Sequence, residues 1–260
     1  MNRDSSGRRG KTVPHGRWQA RRTFLASGHH LAAALAGPTA IVVGHALTVD
    51  PNQKAAPYVA TLAAHRATGL TGGLLTVVGA FLLVPALLGL RRLAPGRGSG
   101  PVQTGSLLAG IGALGLGVGD AMITLVMGAL VHADPVLAEH VFGIATSSPL
   151  TSVPFLLAPL LFIGSLLLAV GLWRAGTTSK VFPALMVVGT VGIGAFSSGG
   201  GVAVALAHTP YGVAVIGLGV LAARRDVVVS HRPVVPREFP SVPVGSAEIE
   251  QVAGTSVGPR

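Results

Sequence analysis

The chain has 260 residues, of which 50% are hydrophobic and 11% charged, with a mean hydropathy of +0.64 and a formal charge of +10. Soluble domains do not combine so much apolar content with so little charge, so lipid is the implied solvent. Cysteine is absent, which excludes disulfides, zinc–cysteine sites and thiol catalysis. The basic residues lie at the ends and in alternate loops rather than along one groove, so the positive balance is a topology signal and nucleic acid is not an expected partner.

Residues 1–26 read as a basic, disordered cytoplasmic tail, with Arg3, Arg8, Arg9, Lys11, Arg17, Arg21 and Arg22 set against Asp4. Arg21-Arg22-Thr23-Phe24-Leu25 resembles a twin-arginine export signal, but the apolar segments that follow favour a chain that stays in the membrane. The first span is predicted over 31–49, with Pro38 inside it and His45 near its outer end. Asp50-Pro51-Asn52 makes a turn, and 55–67 reads as a short interfacial helix ending in His65-Arg66. A second span over 69–90 closes at Arg91-Arg92, and 94–101 reads as a short exposed linker.

The third span, 104–131, is the longest apolar run and contains one carboxylate, Asp120. An acid near the middle of a membrane helix costs about 2.5 to 3.5 kcal/mol on insertion scales, so its side chain must face other helices or a wet cavity. Gly110-Ile111-Gly112-Ala113-Leu114-Gly115 matches a dinucleotide fingerprint letter for letter, yet no strand precedes it to build a βαβ unit. The glycines read instead as a smooth packing surface, with Gly115 and Gly119 as a small-xxx-small pair. Ala113, Gly117, Asp120, Thr124 and Met127 recur at steps of three or four and form one stripe predicted to face the bundle.

The next loop has Asp134-Pro135, the N-cap and first position of a short surface helix. The fourth span is predicted over 150–173, kinked in its outer half by Pro154 and Pro159 and ended by Trp173-Arg174. Residues 181–223 are barely enough for two more spans, 181–197 and 202–223, separated by Ser197-Ser198-Gly199-Gly200-Gly201. Charge decides for two. With a cytoplasmic N-terminus and six spans, only Lys54 and Arg66 among the 19 basic residues fall outside, a positive-inside pattern that five spans would break. Residues 224–260 read as a second disordered cytoplasmic tail.

The predicted class is therefore all-α: a six-helix transmembrane bundle over 27–223, in the cytoplasmic membrane, with both termini inside. By this topology His45, His65, His132, His140, His208, Asp120, Asp134 and Glu139 fall in or beside the outer half. The candidate polar cluster is Asp120 with His45, His65 or Arg66 as partner and Thr124 one turn along. At helical rise Asp120 lies about 16 Å below the end of its span and His45 about 6 Å below its own, so the two meet only if the third helix protrudes by about two turns. No catalytic motif survives its structural context, and no cofactor or metal is assigned. The leading reading is a non-enzymatic structural, regulatory or accessory membrane protein. Two alternatives are a small transporter or proton-coupled sensor using Asp120, and a membrane enzyme with an outward His/acid metal site. The expected partners are the lipid bilayer and, through glycine-rich helix faces, a second copy or other membrane proteins.

Ala36-Gly37-Pro38, the run Leu83-Val84-Pro85-Ala86-Leu87-Leu88-Gly89-Leu90-Arg91-Arg92, and Gly164 through Leu172-Trp173-Arg174-Ala175-Gly176 resemble a family of uncharacterised six-helix integral membrane proteins of actinobacteria. The resemblance covers about residues 31–223 and implies a fold and a membrane location, with no activity and no functional residues to carry over.

Overall fold

Every regular element among the described residues is a helix. The computed structural model describes residues 15–49, 53–147, 156–196 and 201–230. A long helix α1 (His15–Leu47) is followed by a short α2 (Ala55–Ala64) and a long α3 (Arg66–Gly89), which ends in a 3-10 turn, Leu90–Leu93. The same order then recurs: long α4 (Ser99–Ala133), short α5 (Pro135–Ser147), and α6 (Ala158–Ala175). A final pair, α7 (Val181–Phe196) and α8 (Gly201–Ser230), closes the bundle.

Glycine at seven-residue spacing holds the long helices together in pairs. Seven residues are close to two helical turns, so glycines so spaced lie on one face and let a neighbouring backbone approach. On α1 and α3 the pairs are Gly44 with Gly72 and Gly37 with Gly79; a Cβ on Gly44 would sit 2.7 Å from the Gly72 carbonyl oxygen, and one on Gly72 would sit 2.7 Å from that of Gly44. The second unit repeats the device. A Cβ on Gly105 would sit 2.6 Å from the Gly164 oxygen and one on Gly164 2.6 Å from the Gly105 oxygen, while Gly98 meets Gly171 and Gly112 meets Leu161. Gly98 is required twice over, since it also opens α4 at φ +89. Helix α8 runs along α1 with Gly212 at Pro38 and Gly219 at Ala34, and α7 crosses it with Gly189 at Tyr211.

The surface is apolar, and the interior mixes leucine with alanine, glycine and a few hydroxyl residues. Val78, Leu107, Ile163, Val191 and Leu206 are each at least half exposed. Buried Thr76 and Thr190 turn their hydroxyls back onto carbonyls of their own helices, and buried Ser165 shares a hydrogen bond with Tyr211. Lipid supplies no hydrophobic drive for helix association, so small residues and internal hydrogen bonds take that role. Among the described residues five helices are long and apolar enough to cross a membrane: Gly28–Leu47, Arg66–Leu93, Ser99–Ala133, Ala158–Ala175 and Gly201–Asp226. The apolar α7, at 16 residues, is shorter than these.

The two ends of the bundle differ. At one, the turn after α3 meets the ends of α6 and α8: Arg225 donates to the carbonyls of Leu93 and Thr177, Thr177 donates to that of Leu93, and Arg92 pairs with Asp226 at 2.6 Å. At the other, α2 and α5 lie together on the last turns of α4, with Tyr58, Val59, Leu62, Ala138 and Phe142 packed on Met127 and Val131. These two short helices cover the last turns of α4. Asp134 Oδ1 accepts from the Leu137 N–H at 2.9 Å, the N-cap expected for α5.

Several boundaries differ from the sequence expectation. The tail predicted as disordered is helical from His15, and residues 1–14 lie outside the described ones. His65 and Arg66 do not end the short helix: His65, at φ −120 and ψ 35, is the break, and Arg66 begins α3. Ser99 already belongs to α4, so the linker is shorter than 94–101. Pro159 stands in the first turn of α6, where a missing N–H is harmless, and so starts that helix instead of kinking it; Pro154 lies outside the described residues. Helix α8 continues past 223 to Ser230, and residues 231–260 again lie outside. Neighbouring backbone comes close to α4 at Gly98, Gly105 and Gly112, and Gly115 and Gly119 are buried as well.

Candidate functional site

Three helix crossings bring polar residues of α1, α4 and α8 to one place. Helix α4 turns its stripe inward as expected: Ala113, Thr124 and Met127 are buried, Gly117 lies against Ala80 of α3, and Thr124 fills the space left by Gly73. Asp120, between them, keeps partial exposure because a cavity reaches it. Helix α1 contributes His45, and α8 contributes His208 because the glycine at its start, Gly201, sits against the carbonyls of His45 and Thr48. The two imidazoles lie 4.6 Å apart between ring centres, tilted by 32°.

The cavity encloses about 360 Å³. Its polar wall is Asp120, His45, His208, Thr48, Thr76 and Tyr211, and its apolar wall includes Ile41, Leu83, Leu161, Phe162 and Ile193. A second space of about 240 Å³ lies toward α2, lined by Tyr58, Leu62, Ile123 and Thr124. Both spaces share His45, Thr48, Val49, Thr76 and Asp120, so the acid stands at the wall between them.

The hydrogen bonds around the cavity show which protons are already used. Thr48 donates to the Gly44 carbonyl at 2.9 Å, and Thr76 donates to that of Gly72 at 3.1 Å. His208 Nδ1 lies 2.8 Å from the Val204 carbonyl; since a carbonyl only accepts, Nδ1 bears the hydrogen and a neutral ring presents Nε2 as a lone pair. Among the described residues neither Asp120 nor His45 has a hydrogen-bonded partner. Tyr58, on α2 outside the spans, stacks on Phe142 at 4.3 Å, and burial together with the charge of Asp120 pushes its phenol up to about 12, so it stays un-ionised.

Of the expected cluster, the structure brings together Asp120, His45 and Thr124. It leaves out the other two: His65 is exposed at the α2–α3 break, and Arg66 donates from Nε to the Gly128 carbonyl at 3.1 Å, two turns beyond the acid. Their places are taken by His208, which the sequence sets beside Asp120 only as one of five histidines, and by Tyr58, which it does not. His208 was visible as one more outer histidine, but placing it needs the α1–α8 contact, whose signal is Gly201, Gly212 and Gly219 on α8. His132 and His140 are exposed. Among the described residues no three His, Asp or Glu side chains are arranged to hold a metal ion, the constellation that the enzyme reading requires.

The class that this fold and cavity define is a bundle of apolar helices with the dimensions of an integral membrane protein. No protein-family model, curated protein or solved structure matches the chain.

Proposed function

We propose that the chain is a multi-pass protein of the cytoplasmic membrane that works as a small proton-coupled transporter or sensor, with Asp120 as the group that gains and loses the proton. The observation that supports this reading above a purely structural or accessory one is the meeting of Asp120, His45 and His208 on one cavity inside the apolar bundle. A carboxylate among membrane helices is costly, and one that faces a cavity inside the bundle marks a proton or ligand site by default. The titratable groups that face it are His45 from α1, His208 and Tyr211 from α8 and Tyr58 from α2, with Arg66 of α3 held away on Gly128. Kinship with the actinobacterial six-helix family belongs to the same proposal.

Its test is infrared difference spectroscopy on the purified chain, titrated between about pH 5 and about pH 9, the range in which a perturbed carboxyl or histidine changes charge. A protonated-carboxyl stretch should appear and vanish over that range and be missing from Asp120→Asn. A band that titrates unchanged in the variant, or no titrating band at all, overturns the reading.

The topology proposed has six passes, with α7 as the thin one and both termini cytoplasmic. Its 16 residues span about 24 Å, short of an average hydrocarbon core, but it runs antiparallel to α8 from Phe182 at Gly217 to Gly192 at Ala207. The chain has no native cysteine to give background. Asn52→Cys and Ser198→Cys should react with an impermeant maleimide in intact cells, and Ser99→Cys and Ser246→Cys should not. Reaction at 246 contradicts an even number of passes.

A further inference from the structure

A cavity selects its ligand by the hydrogen-bonding groups its own wall leaves over, because a polar atom buried without a partner costs about 1 to 3 kcal/mol. On the 360 Å³ cavity those remaining groups are almost all acceptors. Thr48 and Thr76 have spent their hydrogens on helix carbonyls and turn lone pairs to the space; His208 has spent its Nδ1 hydrogen on Val204. Tyr211 shares its hydroxyl bond with Ser165. Among the described residues His45 is the one wall group with an uncommitted ring, Asp120 is the one carboxylate, and no lysine or arginine lines the space.

From this arrangement we propose that the cavity binds a protonated organic amine with an apolar body, its N–H groups on Asp120 and the neighbouring lone pairs and its hydrocarbon among Leu83, Leu161, Phe162 and Ile193. The proposal rests on the reading of Asp120 as a working ionisable group and adds the class of ligand. An organic anion meets a carboxylate and lone pairs with no compensating cation. A neutral hydrocarbon leaves every acceptor unpaired. An ammonium group supplies several donors and the opposite charge at once, and charge-assisted hydrogen bonds are about twice as strong as neutral ones. The volume is at the lower end of ordinary small-molecule pockets, about 300 to 1,000 Å³, which suits a compact arylalkyl amine.

The experiment measures equilibrium binding of phenylbutylamine, phenylbutanol and phenylbutyrate to the detergent-purified full chain, corrected for partition into empty micelles. The amine should bind at least about tenfold more tightly than the alcohol, the span of one charge-assisted hydrogen bond, and the carboxylate least. Asp120→Asn should make amine and alcohol equal. Val204→Trp, which adds bulk to the cavity wall and leaves the carboxylate in the chain, should remove binding of both and tests the site if the Asn variant does not fold. Tightest binding of phenylbutyrate, an amine preference that survives Asp120→Asn, or amine binding that survives Val204→Trp overturns the assignment. The infrared titration separates the two levels: a titrating Asp120 with no amine preference defeats only the ligand class, whereas an Asp120 that does not titrate defeats both.

Discussion

Gly164→Leu should separate α6 from α4 and destabilise the protein by at least about 3 kcal/mol, the upper end of what overpacking a close contact costs. The reason is local. At this crossing both partners are glycine, and a Cβ on Gly164 would reach the carbonyl oxygen of Gly105 at 2.6 Å and the Ala109 backbone as well. Neither obstacle is the end of a flexible side chain, so the helices themselves must part, and with them the cavity wall at Leu161. Gly110→Ala is the control: its new Cβ would find only a methyl of Val84 at 3.6 Å, and alanine is the better helix former by about 1 kcal/mol. Thermal unfolding in one detergent should place Gly110→Ala at or above the parent and Gly164→Leu far below it. Equal behaviour of the two would mean that this crossing does not hold the bundle.

Tyr58→Ala should cost about 3 to 5 kcal/mol and open the end of the bundle that α2 and α5 cover. Tyr58 is 3% exposed, stacks on Phe142 and belongs to the cluster that fastens α2 and α5 over the last turns of α4. Removing the ring frees both short helices together, and the space they cover leads to Asp120. A cysteine at Thr124, which lines that space, should therefore react faster with a water-soluble maleimide in the Tyr58→Ala background than in the parent. Tyr58→Phe keeps the stack, and since the phenol has no hydrogen-bonded partner among the described residues it should match the parent in both stability and reactivity. A fast-reacting Phe variant would show that the hydroxyl, not the stack, closes this end.

Much of the fold was legible because membrane helices advertise themselves by apolar length, and each predicted span from 31–49 to 202–223 overlaps a helix of the structure. The inward stripe through Asp120 was legible for a related reason: a carboxylate and a hydroxyl at helical spacing among glycines have only one affordable direction to face. The N-cap at Asp134 followed from two adjacent residues. What misled was proximity in sequence. His65 and Arg66 stand near the second span and invited pairing with Asp120, but the break at His65 exposes the ring and sends the guanidinium to Gly128.

The sequence by itself determined that this is an all-helical chain with a membrane's hydropathy, where its helices lie, and that Asp120 looks inward, because length, composition and helical periodicity are local properties. Only the tertiary structure decided Asp120's company. His45 and His208 lie 75 and 88 residues from it along the chain and reach one cavity with it because glycines at Gly44, Gly72 and Gly201 let three backbones approach each other, while Tyr58, 62 residues away, lines the adjoining space. Which glycine meets which is a matter of complementary surfaces on different helices, and no periodicity within one helix encodes its partner.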